Sequence, residues 1–558
     1  LEKKITNNKI KFLSKTIENK NDILEVKNQI ANSSKNISNK IVNYLKKNQV
    51  DDEILQNIFL DYTRYFLEIY VDRAFKLKET NEIFKSDYEI FPKKNNYYIN
   101  NSKLIKNFVS EIGYLNQNFQ WYVFRSILGC KDILKRKEEN SILKIFNYLK
   151  IKIKFYKKLY NKPFYLFGPK LKRLEDFNNL KIFKNDYPKK LINLLPYNKT
   201  KRKKIAEIFF NELKLKFNNF NLDNSNLKGF CKLVSKVFPN EIVENFNFNY
   251  DLYYKFIFSN RKFIRGFVSY APNSKDFLSE SFMSAVCLKL NIPIINFQHS
   301  GIIGYDIKNC NFYIRDMMIK SIYHSAGWSK FPKEYLNQNI KADIKPFPNP
   351  YFSLVKKNSK HLITNNSNTY LIPISKSHTL DDKLGLEINS HNIVDVRNIT
   401  FKIIKFLVAN KNNVILIYRN DFFEKDLLYS KLLNENLLNN IKSFSNKDYK
   451  PIELFPKVDG VIWDSVSTGF LESLTYGIPT ISFSTNQFSK ESDFYFDILK
   501  KENVILHDPE LIGKTINKFA KNYNLWLSTK NKISPFLKQY ALTDNNYLEI
   551  WEKYLKLY

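Results

Sequence analysis

The sequence predicts an α/β protein, with a helical N-terminal segment followed by two successive domains, each built on a parallel sheet. Three observations predict it. Apolar residues recur at helical spacing through residues 1–160, as in "EILQNIFLDYTRYFLEIYVDRAFKL", with few glycines and no strand alternation. From Lys262 onward, buried-strand and helix patterns alternate with short turns, and a second such series begins near Asn368; strands separated by helices make a parallel sheet covered on both faces. A length of 558 residues also exceeds one ordinary core.

In chain order, residues 161–261 mix "FYLFGPKL" with the helical "KKIAEIFFNELKLKF", and their topology stays open. "KFIRGFVSYAP" then predicts a strand ending near Ala271, "SKDFLSESFMSAVCLKL" a helix, and "NIPIINFQH" a buried strand. "KSIYHSAGW" and "ADIKPFPNP" read as two further short strands, and Pro346, Pro348 and Pro350 stiffen a connection between domains. The second series runs through the strand "NTYLIPISKS", a helix over "NIVDVRNITFKIIKFLVAN", the strand "NNVILIYRND", a further helix, the strand "VDGVIWDS", the helix "STGFLESLTYG", then "IPTISFST" and "NVILHD" as strands. Two such domains in succession imply a cleft between them. "SPFLKQYALTDNNYLEIWEKYLKLY" reads as one or two terminal helices.

Composition narrows the function classes. A hydrophobic fraction of 44% and an aromatic fraction of 16% fit a globular chain. A net charge of +34, from 89 basic and 55 acidic residues, draws polyanions such as nucleic acid, anionic lipid or phosphorylated substrates. The densest run, "KTKRKK" at Lys199 to Lys204, reads first as a solvated basic face at a helix start and otherwise as a nucleic-acid or membrane patch. Cys130, Cys231, Cys287 and Cys310 lie far apart without a Cys-x-x-Cys pair, which fits reduced thiols and a cytoplasmic location. The first residues lack the apolar stretch of a signal peptide, and no segment reaches the roughly 18 apolar residues of a spanning helix. Any meeting with a membrane is expected from the water side, for which "ILKIFNYLKIKIKFYKKLY" (Ile142 to Tyr160) is a candidate, with helix packing the alternative. Phosphate loops of the Gly-x4-Gly-Lys type, nucleophile elbows, Asp-x-Asp pairs and zinc spacings are all missing from the sequence. No metal or other cofactor is therefore expected.

Ligands of parallel sheets bind beyond the carboxyl ends of strands, which singles out "IWDSVSTGFLESLTYGIPTISF". Free N–H groups near Ser467, Thr468 and Gly469, with two hydroxyls and the helix dipole, suit a phosphate or diphosphate. Glu472, about one turn further, suits ribose hydroxyls. The competing assignment makes Ser467 or Thr468 an ordinary helix cap and Glu472 the far member of a capping box. Arg419, beyond "VILIY", and Lys376 with Ser375, beyond "YLIPI", are candidates to neutralise phosphate. His378 and Asp421 are secondary, a loop polar residue and a helix cap being their alternatives.

The spacing Asp-Ser-x-Ser-Thr-x3-Glu-x4-Gly-x-Pro at Asp464 to Pro479 resembles the donor-nucleotide segment of glycosyltransferases with the GT-B architecture of two Rossmann-like domains. Together with "QHSGIIGY", "SAGW", "PFPNPYFS", "LIYRND" and "YLNQNFQWYVFRSILG", it resembles a family of bacterial transferases of surface-carbohydrate biosynthesis, over about Asn116 to Pro479. The family's first segment reads Gln-His-Gly-Gly, and Ser300 here replaces the first glycine; the family's paired tryptophans reduce to Trp328. The resemblance implies sugar transfer from a nucleotide sugar to a polysaccharide or lipid-linked glycan, at the inner face of a membrane if anionic lipid is involved, and without nucleic acid. His299, the first histidine of the chain, then becomes the candidate general base, a turn histidine bonded to backbone being its alternative. Gln298, Ser300 and Gly301 join it as substrate-binding candidates. The expected division is a helical segment at 1–160, an acceptor domain at 161–350, a donor domain at 351–530 and a helix at 531–558 returning to the first domain. Rival functions are polyol-phosphate transfer from a CDP-linked donor, nucleotide-sugar epimerisation, and a non-catalytic nucleic-acid-binding or scaffold role.

Overall fold

The computed structural model describes residues 20–45, 59–60, 63, 66–67, 98–99, 135–136, 164–167, 182–183, 195, 197–217, 224–238, 240–269, 278–298, 301, 303–305, 315–317, 319–330, 332, 340–359, 368–374, 393–418, 426–446, 448–483, 489–490 and 492–556. A short parallel pair, β1 (Tyr98–Ile99) and β2 (Lys135–Arg136), precedes two larger sheets. The first sheet contains β3 (Phe164–Phe167), β4 (Ile182–Phe183), β5 (Ile264–Ser269), β6 (Ile294–Phe297), β7 (Ile322–Ser325) and β8 (Asp343–Pro346), in the order β4-β3-β5-β6-β7-β8 with every pairing parallel. The second contains β9 (Thr369–Ile374), β10 (Asn413–Tyr418), β11 (Ile441–Ser445), β12 (Gly460–Trp463) and β13 (Thr480–Ser482), in the order β11-β10-β9-β12-β13, also parallel throughout. The fold is thus mixed α/β with two parallel sheets, as the alternation of strand and helix patterns predicts.

Around the first sheet lie α1 (Lys20–Leu45), α2 (Lys199–Lys216), α3 (Asn224–Val237), α4 (Phe246–Asn260) and α5 (Leu278–Lys289). Because side chains alternate faces along a strand, Phe267 and Ile294 turn toward these helices, whereas Val268, Ile295 and Phe297 turn the other way. Helix α1 contributes Ile30, Ile37, Ile41, Val42 and Leu45 to the same core. The basic run at the start of α2 is not simply a solvated face. Arg202 is buried and grips Glu244 through Nε and Nη2 at 2.8 and 2.6 Å, while Nη1 donates to the carbonyls of Ser235 and Phe238. Cys231 and Cys287 are free and buried, and burial pushes both thiols well up, which suppresses the reactive thiolate. The stretch from Ile142 to Tyr160 lies outside the described residues.

The opposite face of the first sheet is covered from the far end of the chain. The later helices are α6 (Pro350–Asn358), α7 (Ile393–Ala409), α8 (Leu427–Asn434), α9 (Thr468–Tyr476), α10 (Asp493–Lys501), α11 (Pro509–Lys521), α12 (Tyr523–Lys532), α13 (Ser534–Tyr540) and α14 (Tyr547–Leu555). Tyr547, Trp551 and Leu555 of α14 pack on Tyr165, Val268, Ile295 and Phe297, and the Tyr165 hydroxyl donates to the Leu555 carbonyl. Phe536 and Tyr540 of α13 belong instead to the core of the second sheet. The chain therefore crosses between the two cores at 542–546, later than the division at 530 that the sequence suggests.

One buried histidine sits in that seam. His324, on β7, is surrounded by Phe297, Phe347, Trp551 and Tyr554 at centroid distances of 5.9, 4.9, 4.9 and 4.8 Å. Neither ring nitrogen makes a hydrogen bond of ordinary geometry. Burial, aided by Lys345, lowers its pKa to about 3, with Asp343 and the Lys345 backbone pulling weakly the other way. A folded-state value below the unfolded one, near 6.5, means that His324 favours the folded state above pH ~6.5 and withdraws that support as the pH falls toward 3. The expected slope in this window is about 1.4 kcal/mol per pH unit. Urea unfolding at stepped pH checks it, with His324→Phe removing that part of the slope.

Candidate functional site

The second sheet carries the strand order in which the chain starts at β9, moves outward through β10 and β11, and then returns to β12 on the other side of β9. In parallel sheets, such a reversal of strand order is where ligands bind, beyond the carboxyl ends of the strands that flank it. Strand β12 is buried along its whole length, and it delivers Asp464, Ser465 and Val466 to the start of α9. Ser467 is the N-cap of α9 and makes no side-chain capping bond. The Ser467 hydroxyl therefore spans none of the first-turn N–H groups of α9. Gly469 is required by close approach, since a Cβ there would lie 2.1 Å from the Trp463 ring. Trp463 is fixed in turn by donating Nε1–H to Ser473 Oγ at 3.1 Å.

Under this turn lies a cation that sequence reasoning missed. Arg397 of α7 is 1% exposed. Its Nε donates to both oxygens of Asp426 at 3.0 and 3.1 Å, and its Nη1 lies 3.5 Å from Asp464 Oδ2. Asp426 also caps α8 by accepting from Leu428 N–H at 2.8 Å. One guanidinium thus ties the end of β12 to the residue that closes the loop after β10. A lone arginine beside Val396 on an apolar helix face was the available signal.

From the first sheet, the segment after β6 comes directly onto α9. Gly301 N–H donates to Thr468 Oγ1 at 2.9 Å, and a Cβ on Gly301 would meet Leu471 Cδ1 at 2.6 Å. Because Thr468 Oγ1 accepts this bond, its own proton remains directed elsewhere. Beyond Gly301, Ile303 and Tyr305 enter the core of the second sheet, and the Tyr305 hydroxyl donates to the Val466 carbonyl at 3.2 Å. At this point the segment after β6 packs directly against the second sheet's core.

Gln298 differs from expectation. Instead of facing substrate, it is 2% exposed. Its Oε1 accepts from Ala326 N–H at 2.9 Å and Trp328 Nε1–H at 2.7 Å, and its Nε2 donates to the Ile303 carbonyl at 3.3 Å. Its backbone N–H donates to His324 O at 2.9 Å, and its carbonyl accepts from Asn349 Nδ2 at 3.3 Å. Gln298 therefore positions the segment rather than binding a ligand. Through it, Gln298, "SAGW" and Asn349, distant in sequence, meet at one place.

Glu472 faces the same junction, partly buried, and its Oε1 accepts from the Tyr351 hydroxyl of α6. The structure thus brings together Gln298, Gly301, Ser467, Thr468, Gly469 and Glu472. His299, Ser300, Ser375, Lys376, His378, Arg419 and Asp421 lie outside the described residues. Tyr351 and Asn349 were missed; the Pro-Asn-Pro spacing does announce an N-cap followed by proline at the first helical position, but nothing in it announces a side chain reaching α9.

The family model described as LIC12162 family transferase matches residues 2–555. The chain belongs to this family. As a family transferase it is similar in structure to a glycosyltransferase from Rickettsia africae, at 13% identity over 83% of this chain and 99% of that one, with a TM-score of 0.32. A candidate UDP-N-acetylglucosamine 2-epimerase from Listeria monocytogenes is similar at 12% identity over 55% of this chain and 77% of that one, with a TM-score of 0.36. No curated protein matches the transferase by sequence. Among the described residues, no helix is long and apolar enough to cross a membrane, and no cluster of His, Cys, Asp or Glu could hold a metal ion.

Proposed function

We propose that this transferase moves a sugar from a nucleotide-activated donor to a hydroxyl of a polysaccharide or lipid-linked glycan. The observation that carries the reading is the hydrogen bond from Gly301 N–H to Thr468 Oγ1, which seats the segment following His299 on the uncapped end of α9. A helix end with free N–H groups takes phosphate oxygens, and here it lies at the strand reversal where nucleotides bind in sheets of this order. In this reading the N–H groups of α9, the Thr468 hydroxyl, Arg419 and Lys376 receive the leaving diphosphate. Glu472 accepts the ribose hydroxyls, and His299 takes the proton of the acceptor hydroxyl as its oxygen attacks the anomeric carbon.

The chain between Gln298 and Gly301 is only two residues long. Gln298 is held among residues of the first sheet and Gly301 is bonded to α9. The charge of +34 favours an anionic acceptor or the surface of an anionic membrane that carries it.

A thermal-shift screen of nucleotides and nucleotide sugars tests the proposal, because a ligand of the folded state raises the melting temperature. One nucleotide base is expected to stand out. Glu472→Ala is expected to weaken that ligand by about ten- to a hundredfold, the worth of hydrogen bonds to a charged acceptor. If no nucleotide or nucleotide sugar shifts the transition at millimolar concentration, the proposal fails. Product analysis with the stabilising donor then separates sugar transfer from polyol-phosphate transfer and from epimerisation, which needs no acceptor.

A further inference from the structure

The carboxylate of Glu472 is held by α6, whose Phe352 and Val355 share the core of the second sheet with α9. Tyr351 is the second residue of α6, and its direction is set by the cap before it. Asn349 Oδ1 accepts from the N–H groups of Tyr351 and Phe352 at 2.9 and 3.2 Å. Pro350 occupies the first helical position, where its fixed φ suits a helix start. Asn349 is itself anchored, its Nδ2 donating to Gln298 O at 3.3 Å and its backbone N–H to Leu542 O at 2.8 Å. From this braced turn the Tyr351 hydroxyl reaches Glu472 Oε1.

We propose that Tyr351 is a specificity-determining positioning residue, which fixes the Glu472 carboxylate so that it accepts both vicinal hydroxyls of a ribonucleotide and thereby selects ribose over 2′-deoxyribose. The inference rests on the nucleotide-sugar reading above and names what its site discriminates. A carboxylate offers about four acceptor positions. A glutamate free to rotate satisfies one hydroxyl almost as well as two, and must be immobilised when it grips a diol. A tyrosine hydroxyl on Oε1 makes a charge-assisted bond that removes this freedom beforehand, and tyrosine itself has little rotamer entropy to lose. The carboxylate so held presents one orientation, to which a ribose diol is complementary and a deoxyribose is not.

The same turn touches two of the candidate segments. Gln298 precedes His299, Asn349 holds Gln298 O, and two residues further on Tyr351 holds Glu472.

The test is titration of wild type, Tyr351→Phe, Glu472→Gln and the double variant with UDP, CDP, GDP and ADP, each beside its 2′-deoxy counterpart, and with dTDP. Wild type is expected to prefer the ribose form of at least one base by about tenfold or more. Tyr351→Phe keeps the ring in place, as an unchanged melting temperature verifies. It is expected to lose about three- to tenfold toward the ribose form while holding the deoxy form within about twofold, so that the preference shrinks. Glu472→Gln abolishes the preference, and adding Tyr351→Phe to it changes nothing further, as for residues acting through one another. A Tyr351→Phe protein with the full wild-type preference overturns the inference and leaves nucleotide-sugar transfer standing. Wild type that binds dTDP alone does the same. Wild type that binds none of these nucleotides removes both.

Discussion

Replacing His299 by alanine is expected to lower kcat for transfer by about 10²- to 10⁴-fold, the usual worth of a positioned general base, while nucleotide affinity stays within about twofold. The split follows from what flanks the residue. Gln298 is locked by Ala326, Trp328, Ile303 and Asn349, and Gly301 is bonded to Thr468. Loss of the imidazole leaves both anchors intact, so the nucleotide side of the site has no reason to change. Steady-state kinetics with the donor identified by thermal shift, together with titration of the same nucleotide, measures the two quantities separately. A variant with unaltered turnover removes His299 from the chemistry, and one that loses nucleotide affinity assigns it to the donor instead.

The second large effect is expected at Arg397. Its replacement by alanine leaves Asp426 and Asp464 as buried carboxylates without their cation, a change that typically costs about 3–5 kcal/mol. The loss is expected to appear as faster amide exchange in β9, β10 and β12, a local measure suited to a chain of more than one domain. Nucleotide binding is expected to fall as well, since Asp464 and Asp426 border the turn before α9 and the start of α8. Arg397→Lys rescues only part of the effect, because a lysine ammonium cannot match the forked geometry with which Nε meets both oxygens of Asp426.

Much of the architecture could be read from the chain because parallel strands buried on both faces are written as continuous apolar runs. "YLIPI", "VILIY" and "GVIW" became β9, β10 and β12 for that reason. Strand β11, "IKSFS", escaped notice: it lies at the sheet edge with Lys442 and Ser443 exposed, so it carries no apolar run. "NVILHD" erred in the other direction, since its apolar residues are buried yet only Ile505 forms a bridge, to Ser482.

The site was legible where backbone geometry dictated residue type, as at Gly301 and Gly469, whose neighbours leave no room for a Cβ. It was illegible where function depends on a partner far along the chain. No local pattern tells that Gln298 spends its amide on Trp328, or that Tyr351 finds Glu472. The basic run at Lys199 is a solvated face at Lys199, Lys203 and Lys204 as expected, and departs from it at Arg202, whose burying ion pair is completed by a glutamate 42 residues later.

The packing of α14 against the first sheet bears on how the chain is made. Tyr165 and Leu555 are joined although 390 residues separate them. A nascent chain therefore exposes the apolar face of Tyr165, Val268, Ile295 and Phe297 throughout synthesis of everything up to residue 547. Contacts of such long range close slowly and invite aggregation meanwhile. Premature termination shortly before Tyr547 should accordingly be recognised in cells by insoluble product and chaperone retention, even though both parallel sheets have already been translated.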